Sequence, residues 1–424
     1  MNYLIIAICK ILGSLSKTFN FGNGSTWPGH IALKLNPHFI SQILANSETK
    51  IILVAGTNGK TTVSAILKSI LEKADKRVMY NQSGANLVNG VASVIIKTFS
   101  FEKKIQWDFA IFEVDENTLP LILKEITPDI IVLLNLFRDQ LDRYGEVRTI
   151  VANWQQALSK LDNKTTLVLN ANDPQIAYLG SYTNLKSYYF GLNSKSTNAN
   201  YQASDSLYCP NCNTKLVYKN IIYSHLGSFV CPTCKFKTPL IDLKTTYFPL
   251  AGTYNKFNAL AASLAAKVAG MDPNSIKLGL MTFKPVFGRQ EEINFKEKIV
   301  KLFLSKNPIS FNQSYQTIKS LGAKNVLIVL NDRIPDGRDV SWIWDTQLFE
   351  IDKFNTLSLS GDRVYDLALR VKYEGYKDFA VYEKLEDALD KSLSKLDKND
   401  VLYVLPTYSA MLEVRKYLTG KKIL

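Results

Sequence analysis

Histidine is scarce: 424 residues contain three, His30, His38 and His225. A triad-type glutaminase needs a cysteine nucleophile paired with a histidine. The only cysteine outside two CxxC pairs is Cys9, in an apolar N-terminal stretch, so no self-contained glutaminase can be assembled from this chain. There is no run of 18 or more apolar residues, which excludes a predicted spanning helix. The start, "MNYLIIAICKILGSL", lacks a basic n-region and a small-residue cleavage site, so no secretory signal is read and a cytoplasmic location is expected. Low-complexity tracts, internal repeats and long disordered linkers are also missing. Cysteine totals five, and in a reducing compartment four of them in two CxxC pairs suggest metal rather than disulfides.

What is present is a soluble globular composition, 46% hydrophobic and 21% charged, long enough for two or three domains. The formal net charge of +13 favours anionic partners such as nucleotides, nucleic acid, anionic lipid head groups or acidic substrates. It does not choose among them, and an unspecific basic surface explains it equally well. Near the start, Ile5, Ile8, Cys9 and Leu12 fall at helical spacing. They predict an amphipathic helix packed on the body of the protein, with docking to a membrane surface as the sharper alternative.

"KIILVAG" (50–56) reads as a buried parallel strand, and Val63, Ile66, Leu67, Ile70 and Leu71 then repeat at helical spacing. "RVMY", "FAIFEV", "DIIVLLN" and "TLVLNANDP" are further strand candidates alternating with helical or turn segments. The alternation predicts a doubly wound α/β domain. Residues 193–244, with both CxxC pairs, read as a small insertion, and "GTYNKFNALAASLAAKVAG" (252–270) as an alanine-rich helix. Beyond about residue 293, "NVLIVLND", "TLSLSG", "FAVYE" and "DVLYVLP" alternate with helices, predicting a second, smaller α/β domain.

Between that first strand and helix lies "GTNGKTT", comprising Gly56, Thr57, Asn58, Gly59, Lys60, Thr61 and Thr62. It is shorter than a strict Walker A motif, which would need glycine where Val54 stands. Strand, glycine turn and helix still supply backbone N–H groups and a helix N-terminus for phosphates. Lys60 would neutralise the β/γ-phosphates of ATP and the Thr61 hydroxyl would ligate Mg²⁺. "FAIFEVDE" offers Glu113, Asp115 and Glu116 as carboxylate partners for that ion; Glu113 is the preferred ligand, with helix capping as the rival role for each. Cys209, Cys212, Cys231 and Cys234 fit C-x₂-C-x₁₅₋₂₀-C-x₂-C, a closed tetrahedral zinc pattern whose expected role is structural. A redox or nucleic-acid-binding ribbon is the rival reading.

"GTNGKTT", "FEVDE", "RDQLDRYGE" (138–146), "NANDP" (170–174), "GTYNKFNALAA" (252–262) and "GRQE" (288–291) together resemble the Mur ligase superfamily, whose members join a carboxylate to an amine using ATP. The Cys₄ insertion, "NQSGAN" (81–86), "GDR" (361–363) and "DGRDVSWIWD" (336–345) narrow the resemblance to the branch of synthetase subunits that amidate lipid II. Because the phosphate loop begins at Gly56, the UDP-holding domain of full Mur ligases is not expected.

The resemblance implies a helical lead-in over 1–48, an ATP-binding central domain over 49–292 carrying the zinc-ribbon insertion, and a C-terminal α/β domain over 293–424. It implies ATP, Mg²⁺ and Zn²⁺, with Asn255, Asn258 and Arg289 among the nucleotide contacts. It implies phosphorylation of the D-glutamate α-carboxylate of lipid II at the inner face of the plasma membrane, then attack by ammonia. The ammonia would come from a separate GatD-type glutaminase docked on the C-terminal domain, with Asp339 orienting that partner's catalytic histidine. No nucleic-acid partner is implied.

Three positions depart from the wider superfamily: Gln140 and Tyr254 stand where histidine is common, and the position of a carbamoylated lysine falls at or near Trp154. The rival functions are a folylpolyglutamate-type ligase and a zinc-ribbon nucleic-acid-binding NTPase.

Overall fold

A parallel strand covered on both faces is apolar along its whole length, and Ile51 to Ala55 are all buried in β1 (Lys50–Ala55). The computed structural model describes residues 2–18 (13–18 by backbone only), 26–45, 47–81, 86–100, 107–138, 147–193, 206–245, 247–285, 287–348, 354–398 and 400–420. Parts of "NQSGAN" and nearly all of "RDQLDRYGE", including Gln140, lie outside them. The chain divides into two units, one of Met1–Pro249 with Asn255–Phe283, the other of Leu250–Tyr254 with Lys284–Ile423.

The first unit opens with α1 (Asn2–Thr18), α2 (Trp27–Leu35) and α3 (Phe39–Leu44). After β1 come α4 (Lys60–Lys73), β2 (Val78–Tyr80), α5 (Val88–Thr98), β3 (Phe109–Val114), α6 (Leu119–Ile122) and β4 (Ile130–Leu133). Then follow α7 (Val147–Leu158), β5 (Thr166–Asn170), α8 (Pro174–Tyr182) and β6 (Lys186–Phe190). The six strands form one parallel sheet in the order β2-β3-β1-β4-β5-β6. This is the anticipated doubly wound arrangement; β6, "KSYYF", extends it beyond the strands legible in sequence. Ile51, Leu53 and Ala55 join a core with Ile5, Ile6 and Cys9 of α1, Phe39 of α3 and Val91 of α5.

The first helix forms, but its buried seam differs from the expected one. Ile5, Ile6 and Cys9 are buried, whereas Ile8 is 38% and Leu12 41% exposed. At about 100° per residue the buried arc is centred between Cys9 and Ile6, which swings Ile8 and Leu12 outward.

The insertion forms an antiparallel hairpin, β7 (Val217–Tyr223) and β8 (Leu226–Val230). The alanine-rich segment is helical as α9 (Thr253–Val268), followed by α10 (Pro273–Met281).

In the second unit β9 (Arg289–Phe295) and β10 (Lys298–Phe303) pair antiparallel, and the expected junction at 292/293 falls within β9. The unit continues with α11 (Pro308–Ser320), β11 (Asn325–Val329), a 3₁₀ turn (Ser341–Asp345), β12 (Thr356–Ser360) and α12 (Val364–Tyr373). It ends with β13 (Ala380–Val381), α13 (Leu385–Ser394), β14 (Val401–Pro406) and α14 (Tyr408–Thr419). Its sheet order is β13-β12-β11-β14-β10-β9, parallel apart from β9. From β11 the chain runs outward through β12 to β13, and β14 then enters between β11 and β10. The crevice beyond the carboxyl ends of β11 and β14 is the usual ligand position in open α/β sheets.

Helix α10 packs tightly on α4. A Cβ added to Gly279 would lie 2.4 Å from the Ile70 Cα, and Ser69 Oγ donates to the Gly279 carbonyl at 2.9 Å. Gly279→Ala must therefore push backbone apart. Urea denaturation should show a loss of about 1–3 kcal/mol.

Candidate active site and metal centre

The turn between β1 and α4 is set by two glycines, Gly56 at φ +138° and Gly59 at φ +96°. Gly59 is the N-cap of α4 and has no side chain to satisfy the first-turn N–H groups. Those groups, with the positive end of the helix, suit an anionic ligand. A Cβ at Gly59 would lie 2.3 Å from Asn258 Oδ1 and would have to displace that side chain, at a φ that L residues rarely adopt. Asn258 Nδ2 in turn donates to Asn255 Oδ1 at 3.0 Å. The two asparagines anticipated from "YNKFN" are thus buried side by side, with Asn258 against the loop.

The other anticipated loop residues converge. Thr61 Oγ1 donates to Glu113 Oε2 at 2.9 Å, and Tyr80 OH reaches Glu113 Oε1 at 3.4 Å. A hydroxyl and a carboxylate at this distance can share one divalent cation. Lys60 Nζ bonds the Gly56 and Thr57 carbonyls and lies 3.4 Å from Glu116 Oε2, with both side chains buried. The carboxylates of "FEVDE" therefore divide their work: Glu113 faces Thr61, Glu116 faces Lys60, and Asp115 accepts from Asn86 Nδ2 at 3.3 Å.

Two supports were not anticipated. Asn135, just past β4, accepts from Thr57 N through its carbonyl (2.9 Å) and from Asn58 N through Oδ1 (2.9 Å), and its Nδ2 donates to Asn58 O (3.0 Å). A lone asparagine after an apolar run reads as a turn, so nothing in the sequence marked it. Trp154 is fully buried, and its Nε1–H donates to the Glu116 carbonyl at 2.8 Å. The Trp154 indole thus fixes the carboxylate turn.

The ribbon brings Cys209, Cys212, Cys231 and Cys234 together, their sulfurs within 4.8 Å of one another. The Cys209–Cys234 and Cys212–Cys231 separations are 3.5 and 3.4 Å. A tetrahedral ion with metal–sulfur bonds of about 2.3 Å needs sulfurs about 3.8 Å apart, so the cluster fits a tetrahedral thiolate centre. Both knuckles have the same turn. Cys209 N donates to Thr214 O and Cys231 N to Phe236 O, and the residue after each second cysteine is left-handed, Asn213 at φ +58° and Lys235 at φ +63°. Hydrogen bonding from the Thr214 side chain and backbone holds Cys212 down at about 6, and the Phe236 backbone likewise lowers Cys234. Burial pushes Cys209 up to about 12.

The ribbon is locked to the sheet. His225, in the β7–β8 turn, is fully buried with Nε2 3.2 Å from Asp173 Oδ2 and its ring centroid 5.0 Å from that of Phe137. Asp173 also caps α8, accepting from Gln175 N at 3.0 Å and Ile176 N at 3.4 Å, and accepts from Leu136 N at 2.9 Å.

Arg289 and Asp339 belong to the second unit. Arg289 lies between Gly288 and Gln290, both at positive φ, and Gln290 exchanges hydrogen bonds with Ala251. Asp339 is exposed; hydrogen bonds from the Ser341 side chain and from its backbone N–H (2.8 Å) hold its carboxyl below the usual carboxylate range. It lines an open depression of about 260 Å³ with Arg338, Ser341, Trp344, Arg363 and Asp366. Of the two tryptophans beside it, Trp342 packs on the core and Trp344 is 48% exposed.

A glycine turn at a helix N-terminus with opposed carboxylates, on one α/β unit followed by another, is the arrangement of an ATP-dependent ligase of the Mur type. Residues 54–266 match the Mur ligase middle domain, and residues 304–411 match the MurT ligase C-terminal domain. The chain is 32% identical, over 95% of its length and 94% of the relative's, to a Streptococcus pneumoniae protein named lipid II isoglutaminyl synthase (glutamine-hydrolyzing) subunit MurT. It is 31% identical to a Staphylococcus aureus protein of the same name, over 92% of this chain and 91% of the other. Its fold is similar to a pseudomurein peptide ligase type C from Methanothermus fervidus, with TM-score 0.66 and 24% identity over 90% of this chain and 81% of that one. The chain belongs to the MurT family of Mur ligases.

A closed thiolate centre contributes to folding directly. The purified protein should contain one zinc equivalent, released by chelator and by acidification, since protons compete for the thiolates. Cys231→Ser should lose the metal and lower the melting temperature, by roughly 2–4 °C for each kcal/mol lost. Metal analysis and a thermal scan check this.

Proposed function

We propose that this chain is the synthetase subunit that amidates the α-carboxylate of D-glutamate in the lipid II stem peptide, yielding D-isoglutamine for peptidoglycan. The observation that carries the reading is the similarity, over nearly the full length, to proteins named as MurT subunits of lipid II isoglutaminyl synthase. In the first step a carboxylate oxygen attacks the γ-phosphorus of ATP, the bond to the bridging oxygen breaks, and ADP leaves. Ammonia then attacks the acyl carbon, phosphate departs, and nitrogen loses a proton.

The loop residues Gly56, Thr57, Asn58, Gly59 and Thr62 hold the phosphates, and Lys60 offsets the charge gathering on the transferring group. Thr61 and Glu113 would hold Mg²⁺, which would supply positive charge to stabilise the phosphate oxygens. Asn255, Asn258 and Arg289 contact the nucleotide. The four cysteines hold Zn²⁺ in a structural role.

With three histidines and one cysteine outside the ribbon, the chain takes its ammonia from a GatD-type glutaminase subunit. Asp339, ionised and exposed beside a depression, orients that subunit's catalytic histidine. The reaction takes place at the inner face of the plasma membrane, where the lipid substrate resides.

The test is mass spectrometry of lipid II incubated with this protein, ATP, Mg²⁺ and ammonium. The product should show the mass change of OH replaced by NH₂; unchanged lipid II would overturn the reading. Lys60→Ala should reduce this turnover by at least about 10²-fold, the scale on which one transition-state charge contact acts, with zinc content intact. With the glutaminase present, Asp339→Asn should cut glutamine-driven amidation by at least about 10²-fold while ammonium-driven amidation and complex formation persist. Loss of both activities would place Asp339 in the synthetase chemistry instead.

A further inference from the structure

We infer that α1 is a membrane-docking helix, lying in the head-group layer of an anionic bilayer. The helix is apolar on both sides. Ile5, Ile6 and Cys9 are buried against the sheet's core, while Leu4, Ile8 and Ile11 make a second apolar stripe at helical spacing on the opposite side. Leu4 is 66% and Ile11 61% exposed. A helix apolar all round belongs in a core or against lipid, and only one side of this one is in the core.

Two observations select lipid as the cover. The first is charge: the chain has no aspartate or glutamate from Met1 to Ser47, where Lys10, Lys17 and Lys34 are the charged side chains. A stretch with apolar side chains and lysines but no acid is complementary to anionic head groups. The second is aromatic placement: Tyr3 on α1 and Trp27 at the start of α2 are 67% and 61% exposed. Tyrosine and tryptophan favour the membrane interface, where an apolar ring and a polar tip are both satisfied. Among the described residues no helix is long and apolar enough to cross a membrane, so the geometry is that of a helix lying on the surface. The purpose of the docking rests on the lipid-substrate reading above; the exposed stripe and the charge do not.

The experiment uses the full chain and vesicles, without ATP or lipid II. Vesicles of phosphatidylglycerol mixed with phosphatidylcholine are compared with phosphatidylcholine alone by co-sedimentation. The chain should pellet with the anionic vesicles and be released by salt. The triple variant L4Q/I8Q/I11Q should partition at least about tenfold less well, because three side chains no longer enter the acyl boundary. Its metal content and melting temperature should match those of the unmodified chain, since the replaced residues lie off the buried seam. Failure of the unmodified chain to bind, or equal binding by the variant, would overturn the inference. So would lipid-independent self-association that the variant abolishes, since a second copy would then cover the stripe. Vesicle binding lost in the variant supports the inference even if the protein fails to amidate lipid II, an outcome that counts against the proposed function alone.

Discussion

The phosphate loop, the sheet and the ribbon meet at one buried carboxylate. Asp173 is fully buried, where an unpaired charge would cost several kcal/mol. Its oxygens accept from the N–H groups of Gln175, Ile176 and Leu136, and the His225 Nε2 lies 3.2 Å from Oδ2. Leu136 sits between Asn135, which holds Thr57 and Asn58, and Phe137, whose N–H donates to Thr57 Oγ1 at 3.1 Å. The His225–Asp173 contact therefore sets the hairpin of the insertion against the acid that accepts from Leu136 N, next to the residues that hold the glycine loop. The ribbon does not stand apart as an appendage. Its fold is one of the conditions under which the loop keeps its shape.

Those parts of the site whose signal is local were legible in sequence. A β-branched run, a glycine turn and a 3.6-residue repeat read directly as β1, the loop and α4 because each signal lies within a few neighbouring residues. The cysteine spacing read as a metal cluster for the same reason. Asn135, the Trp154 indole and His225 were not legible: each acts through a backbone atom or a carboxylate brought near only by the fold. Trp154 and Glu116 are 38 residues apart, and His225 is separated from Asp173 by α8, β6, the first CxxC pair and β7. The face of α1 was misjudged because its apolar residues surround the helix, which removes the contrast that periodicity depends on. The antiparallel β9–β10 pair escaped notice because charged residues interrupt both strands.

In the second unit, chemistry-bearing residues gather where the strand order reverses. Asn331 follows β11, and its Nδ2 donates to Ser409 Oγ at 3.0 Å. Asp336 is buried, raised above the usual carboxylate range by that burial, and accepts from Ser409 N at 2.7 Å. Arg333 binds Asp362 and Glu413, and Arg363 binds Asp332 and Asp366. The "DGRD" turn is thus anchored at its first aspartate and presented at its second. Exposed ion pairs contribute little stability singly; here they set the path of a turn whose outer carboxylate, Asp339, is exposed and accepts from Ser341 N.

The parallel register of β3 against β1 pairs Val54 with Glu113. Side chains alternate along a strand, so Ala110, Phe112 and Val114 face the core that contains α1 and α5, and Glu113 faces the other way. A slip of one residue would turn the carboxylate into that hydrocarbon core and bring its apolar neighbours out toward Thr61. Misalignment is therefore punished by oil-and-water energetics before any question of catalysis arises. The strand proofreads its own acid, and the accuracy of the Thr61–Glu113 pair follows from packing that has no chemistry in it.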